Sequence, residues 1–166
     1  MEKTSCGILA LNSAGEVLLG HATGSRYWDI PKGGSAGGES GPQTAAREAF
    51  EECGLQLNPG DLHELGRFSY RPGKDLLLYA VLLEHLDTRL LSCSSQYRDQ
   101  QGRMRPEMDA FRWIPFAEVP KRCAKSLCTV LTQSLSLPVL LAQLLEAGPP
   151  IKPTVAVASG PRQAPS

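Results

Sequence analysis

Residues 33–55 read GGSAGGESGPQTAAREAFEECGL, a glycine-rich loop running into a short helix that crowds Glu48, Glu51 and Glu52 together. Ser40 and Gln43 form an S-x-x-Q capping box, and Pro42 falls in the first turn, where its missing N–H costs little. Gly54 supplies the stop. Ala46, Ala49, Phe50 and Cys53 recur at i, i+3, i+4 and i+7, a stripe expected to face the core. At about 100° per residue, the three glutamates then share one exposed arc on the opposite side. Glu48 and Glu52 are an i, i+4 like-charge pair, which costs a helix about 0.2–0.5 kcal/mol. Arg47 precedes Glu51 by four residues, the less favourable order for an ion pair, and offsets only part of this. Core packing does not call for such crowding, whereas a divalent cation does. Hard cations such as Mg²⁺ take carboxylate and carbonyl oxygens and share their shell with substrate phosphates. The glycine loop can offer carbonyls to a metal and N–H groups to phosphate, with the helix N-terminus adding a favourable field. The stretch fits a Mg²⁺-diphosphate site.

The rest of the chain bounds the setting. Its 166 residues suit one domain, expected over 1–147, and from Gly148 the chain turns Pro/Gly/Ser-rich and reads as a mobile tail over 148–166. Apolar residues at 42% and charged residues at 20% are ordinary globular usage, against both global disorder and a membrane protein. A formal charge of zero gives no support to a groove-tracking nucleic-acid binder, so no stable nucleic-acid partner is expected, although a local basic patch stays open. Five scattered cysteines without a C-x-x-C pair argue against a disulfide framework or a zinc ribbon and suit a reduced, cytoplasmic setting. The N-terminal stretch fails as a signal peptide, and no apolar run reaches membrane-span length. His21, His63 and His85 share no ligand spacing.

Along the chain, CGILALN (6–12) and EVLLGHA (16–22) read as a hairpin across SAG. ELGRFSYR (64–71) and DLLLYAVLLEH (75–85) form a second pair through PGK, the longer strand being apolar enough to be central. The polar segment from His85 to Asp109 reads as a long loop of the kind that carries specificity, and FRWIPF (111–116) as a further strand. A helix follows Pro120 with Val119, Cys123, Leu127 and Val130 or Leu131 inward, and Pro138 opens a last amphipathic turn or two. Interleaved strands and helices make the class α/β with a mixed sheet.

Gly33, Glu39, Arg47, Glu48, Ala49, Glu51, Glu52, Gly54 and Leu55 match G-x(5)-E-x(7)-R-E-U-x-E-E-x-G-U, U being apolar, at every defined position. This resembles the Nudix hydrolase box. At ordinary residue frequencies a chance match in a chain of this length is roughly one in ten million, so a merely solvated glutamate face is set aside. The resemblance implies a Nudix-type α/β/α sandwich around a central mixed β-sheet. It also implies hydrolysis of a nucleoside diphosphate linked to a further moiety, with Mg²⁺ or Mn²⁺. Glu48 and Glu52 would then be principal metal ligands and Glu51 a further one, with the Lys32 backbone carbonyl beside them. Arg47 would orient the carboxylates, and Glu39 would support the arrangement of loop and helix. The proton acceptor stays open among Glu48, Glu51 and Glu107, the last lying in the loop before FRWIP. A homodimer is common in such proteins, without a residue here to argue it.

Substrate choice lies mostly outside the box. WDIPKGG is similar to the entry of the branch acting on diadenosine polyphosphates, in which Lys32 would contact the phosphate chain. Tyr70, 15 residues beyond Leu55, matches the tyrosine that stacks on adenine in that branch, given an exposed face. Arg71 and Lys74 beside it could hold phosphates, and Trp28 with Tyr27 could line the pocket mouth; Tyr79 and Trp113 read as core. Pro72, 17 beyond Leu55, lends slight support to ADP-ribose or a nucleoside diphosphate sugar. Oxidised nucleoside triphosphates and capped RNA ends stay open. A non-catalytic nucleotide sensor is a different class, and the intact glutamate set speaks against it.

Overall fold

The computed structural model describes residues 3–156. β1 (Lys3–Asn12) and β2 (Glu16–Ala22) form the first hairpin. The Asn12 side chain accepts hydrogen bonds from the N–H groups of Ala14 and Glu16 in its turn. The two strands pair directly only near that turn, at Leu11 with Val17 and Asn12 with Glu16. Farther out they splay, and the chain wedges β3 (Trp28–Asp29) against β2 and β4 (Lys32–Gly34) against β1. Pro31 between them presents its carbonyl to the Ile8 N–H at 3.1 Å. This wedge delivers the glycine loop to the end of the sheet, where α1 (Gly41–Cys53) begins.

After α1 come β5 (Leu55–Gln56), then β6 (His63–Arg71) and β7 (Lys74–Leu82), the expected second hairpin. The segment expected to be irregular contains a small hairpin, β8 (Gln96–Arg98) and β9 (Met104–Pro106), and leads into β10 (Met108–Pro115). The sheet order is β10-β2-β1-β7-β6, with β1 and β7 parallel and the other pairs antiparallel. Central placement of β7 follows from its apolar content, since both faces are covered.

Strand alternation sorts the interior into two cores. Cys6, Ile8 and Ala10 face α1, while Leu9 and Leu11 face the opposite layer. That layer is α2 (Val119–Arg122), α3 (Lys125–Thr129), a π-turn over Val130–Ser134, and α4 (Leu137–Ala147). The inward residues read from sequence, Val119, Cys123, Leu127, Val130 and Leu131, are all buried. The single helix expected after Pro120 is broken, however: Cys123 adopts an extended conformation and forms a β-bridge with Trp28. α4 also runs eleven residues rather than a turn or two. The architecture is the α/β/α sandwich with a mixed sheet.

The boundary expected at Gly148 is displaced. Ile151 bridges Leu83, and β11 (Thr154–Val155) pairs antiparallel with β5, so residues through 156 belong to the folded unit. The remainder of the expected tail lies outside the described residues. No single helix among the described residues is long and apolar enough to cross a membrane.

Candidate active site

α1 forms where its signals predict. Ser40 Oγ accepts from the Gln43 N–H, Gln43 reaches back to the Ser40 N–H, and Gly54 closes the helix at φ 75°, a left-handed conformation that favours glycine. The inward stripe holds at three of its four positions: Ala46, Ala49 and Cys53 are buried, whereas Phe50 is 41% exposed. The buried face is wider than expected, for Thr44, Ala45 and Glu52 are buried too and Glu48 keeps only 12% of its side chain exposed. Carboxylates thus take two places on the inward face. Alanines on this face let the helix approach the sheet closely, so that Glu48 and Glu52 meet the backbone of β4. A Cβ on Gly33 would overlap the Glu48 carboxylate, so a side chain there would have to push that carboxylate away from the strand backbone.

Glu52 is 7% exposed, and its Oε1 accepts the Lys32 backbone N–H at 3.2 Å. Burial pushes its carboxyl from an ordinary 4.5 to about 8, with Glu48 and Glu107 adding to the rise and Lys32 opposing it. Burial also raises Glu48. Arg47 holds the assembly together more fully than its spacing alone suggests. Its Nε donates to Glu39 Oε2 at 2.8 Å, one terminal nitrogen reaches Glu48 and Glu51, and the other donates to the Gly34 carbonyl at 2.8 Å. Glu39 also accepts from the Ala36 N–H and the Thr44 hydroxyl, and Arg47 with these donors holds its carboxyl down at about 2.

The loop after β7, expected to carry specificity and to hold Glu107, borders the site and braces α1 through its backbone. Ser94 and Ser95 donate their N–H groups to the Glu51 carbonyl at 2.7 and 3.1 Å, and Ser92 donates to the Cys53 carbonyl, so the loop satisfies the open end of α1. Farther on, the Glu107 N–H donates to the Ser95 carbonyl and its own carbonyl accepts from Thr23, both at 3.1 Å. Glu107 is thereby fixed across from α1, sharing with Asp29, Lys32, Glu52 and Lys74 a pocket of about 350 Å³. Asp29, which the sequence reading passed over, forms an ion pair with the Lys32 ammonium. Its i, i+3 spacing from Lys32 in WDIPK was the available signal. Burial alone would lower the Lys32 pKa, but Asp29, Tyr70 and Glu52 together outweigh it and the net shift is upward.

Two expected substrate contacts, Tyr70 and Trp28, do not line this pocket, although the Lys32 ammonium lies 5.9 Å from the Tyr70 ring centroid. Tyr70 is 7% exposed and packs into the core beneath α2 to α4, with the Arg71 guanidinium 4.9 Å from its ring centroid. It has no exposed face for a base, because its strand turns it toward the layer that needs apolar filling. Trp28 packs against the same core, edge-on to His21 at 5.3 Å and with Arg112 at 5.8 Å, away from the carboxylate pocket. Arg71 is exposed and donates to the Tyr70 hydroxyl, whereas Lys74 does line the pocket.

Among the described residues no three His, Cys, Asp or Glu side chains form a preassembled metal cage. The donor set nevertheless fits a hydrated hard cation, which retains several waters and takes few protein oxygens. Glu52 is a buried carboxylate with one hydrogen-bond donor, the Lys32 N–H, and Glu48 nests over the space left by Gly33.

A model of the NUDIX domain matches residues 1–129, and the chain belongs to the Nudix family. It is a Nudix hydrolase. An uncharacterized 17.7 kDa protein of Enterobacteria phage T4 is 39% identical over 126 residues, covering 69% of this chain and 83% of the phage protein. An RNA pyrophosphohydrolase of Legionella pneumophila is 31% identical over 128 residues, 70% of this chain and 71% of that one. A crystal structure of a C. elegans Ap4A hydrolase binary complex superposes with a TM-score of 0.56 at 19% identity, covering 87% of this chain and 99% of that one. The last similarity concerns the fold alone.

Proposed function

We propose that the protein hydrolyses a phosphoanhydride bond in a nucleotide 5′-polyphosphate with Mg²⁺, Mn²⁺ being an alternative, and that a dinucleoside polyphosphate such as diadenosine tetraphosphate is a substrate. The burial of Glu52 carries this reading. A carboxyl held near 8 without a partner cation is a poor way to build a core and a good way to bind one. Glu48 and Glu52, with the Lys32 backbone carbonyl, hold the cation, and Glu51 supports them through the shared Arg47. A cation held by these residues would supply neutralisation of phosphate charge and a lower pKa for the attacking water. Glu107 faces Glu52 across the pocket, forms no ion pair among the described residues, and takes the proton. Lys32 and Lys74 bind the phosphate chain as point charges.

A second reading of the substrate is an RNA 5′-end carrying a polyphosphate. The Legionella relative's activity favours it, and the burial of Tyr70 removes the stacking residue on which the dinucleoside reading drew. Products from a panel of dinucleoside polyphosphates, 5′-triphosphorylated RNA, ADP-ribose and sugar nucleotides test the proposal. Turnover of the 5′-polyphosphates ahead of ADP-ribose is expected. ADP-ribose favoured by more than about tenfold in kcat/KM overturns the substrate class, and metal-dependent binding without turnover of any compound marks a sensor.

A further inference from the structure

A groove of about 420 Å³ separates the segment entering β3 from the junction of α2 and α3. Arg26, Tyr27, Lys121, Cys123, Lys125 and Cys128 contribute to its lining, and no acidic side chain does. Arg26, Tyr27, Lys121 and Lys125 are exposed, and none of the three cations forms an ion pair among the described residues. The break at Cys123 creates this arrangement. Lys121 lies in α2, Lys125 opens α3, and Cys123 between them is tied to Trp28 by a β-bridge.

Unpaired like charges around one groove repel, and in a chain of zero net charge their convergence is local rather than compositional. An anion with repeated charges relieves the repulsion. Tyr27 adds an aromatic ring, 37% of the residue being exposed, with the Arg26 guanidinium 5.1 Å from its centroid. Cations and an aromatic ring lining one groove are the elements of single-stranded nucleic-acid binding, the cations taking phosphodiesters and the ring a base. Groove and site are linked along the chain: Tyr27 of the groove lies two positions before Asp29, which lines the carboxylate pocket.

We propose that this groove holds the single-stranded RNA tail of a 5′-polyphosphorylated substrate, with phosphodiesters on Arg26, Lys121 and Lys125 and a base against Tyr27. The proposal rests on the RNA reading of the carboxylate pocket. It places sequence-independent affinity in a region separate from the chemistry.

The probe is a 3′-fluorescein oligoribonucleotide of about eight nucleotides with a 5′-monophosphate, which the chemistry leaves intact; its anisotropy is followed across a KCl series. Three phosphate contacts on a single strand give a slope of log K against log salt of about −2, and the double variant K121Q/K125Q should lose about 1.4 of it. At low salt the same variant should bind about tenfold more weakly, while its turnover of diadenosine tetraphosphate, which has no tail, stays at the wild-type value. Tyr27→Ala should weaken binding with the slope unchanged. Wild-type protein that does not bind the oligonucleotide, or a double variant with unaltered slope and affinity, overturns the groove assignment. Wild-type protein that binds RNA with the expected slope yet hydrolyses no 5′-polyphosphate overturns the reading of the pocket and leaves the groove standing.

Discussion

The two helical layers of this sandwich bury opposite kinds of surface. Beneath α3 and α4 the interior is supplied by Leu127, Val130, Leu131, Leu137, Leu140 and Leu144, large aliphatic side chains that release water and ask for no partners. Beneath α1 the helix contributes Ala45, Ala49 and Cys53, small groups that bring it close to the sheet, and between them Glu48 and Glu52. The first layer gains stability from burial, whereas the second gives up part of that gain to place carboxylates where water is scarce. Glu52 illustrates the exchange, since its burial disfavours the charged form that a cation requires. Activity and stability should therefore separate between the layers.

The largest effect is expected from Glu52→Gln. Removing the buried charge should lower kcat by about a hundredfold or more, as for other groups that stabilise transition-state charge. The thermal midpoint without metal should hold or rise, because a desolvated ionisable group has been replaced by a neutral one. Unchanged turnover, or a collapse of the fold, would break the division. Next comes Leu131→Ala in the opposite layer, where a fully buried leucine is removed. Denaturant unfolding should show a loss of about 2–5 kcal/mol, with kcat close to wild type well below the new midpoint. A variant as inactive as Glu52→Gln while still folded would show that the layers are not separable.

The third effect is one of pH. Because the Glu52 carboxyl sits near 8 when folded against an ordinary 4.5, the folded state holds its proton more tightly. Its stabilising contribution is full below about 4.5 and is lost as pH rises toward 8. Metal-free protein should thus melt at falling temperature across that window. Mg²⁺ should flatten the decline by taking the proton's place, and Glu52→Gln should flatten it without metal. Glu39 works in the opposite sense: its contribution, present above its unfolded value, is lost as pH falls toward about 2. A metal-free melting profile level from pH 5 to 8 would contradict the burial argument.

What could be read from sequence was whatever local geometry determines. The capping box at Ser40 and Gln43, the left-handed stop at Gly54 and the hairpin turn after Asn12 each depend on a few neighbouring residues, and each formed as expected. Apolar content likewise placed β7 inside the sheet rather than at its edge. The stripe of α1 was legible at Ala46, Ala49 and Cys53 but not at Phe50, because hydrophobicity ranks Phe50 above Ala45, while the helix needs small residues against the sheet and turns the phenylalanine outward. Tyr70 shows the same limit on a strand, where alternation identifies two faces but not which one a third layer will cover. The break at Cys123 depends on Trp28, 95 positions earlier, and Glu107 reaches the pocket through backbone bonds to Ser95 and Thr23. Pro and Gly after Ala147 imitate a tail, yet Ile151 and Val155 supply enough apolar contact for a bridge and a short strand.

Anomalous diffraction from crystals soaked in Mn²⁺ tests the central claim most directly. The account predicts a peak beside Glu48 and Glu52 next to the Lys32–Gly33 backbone, weakened or lost in Glu52→Gln. A clean map at those carboxylates in the wild-type protein, with manganese bound elsewhere or not at all, would contradict it.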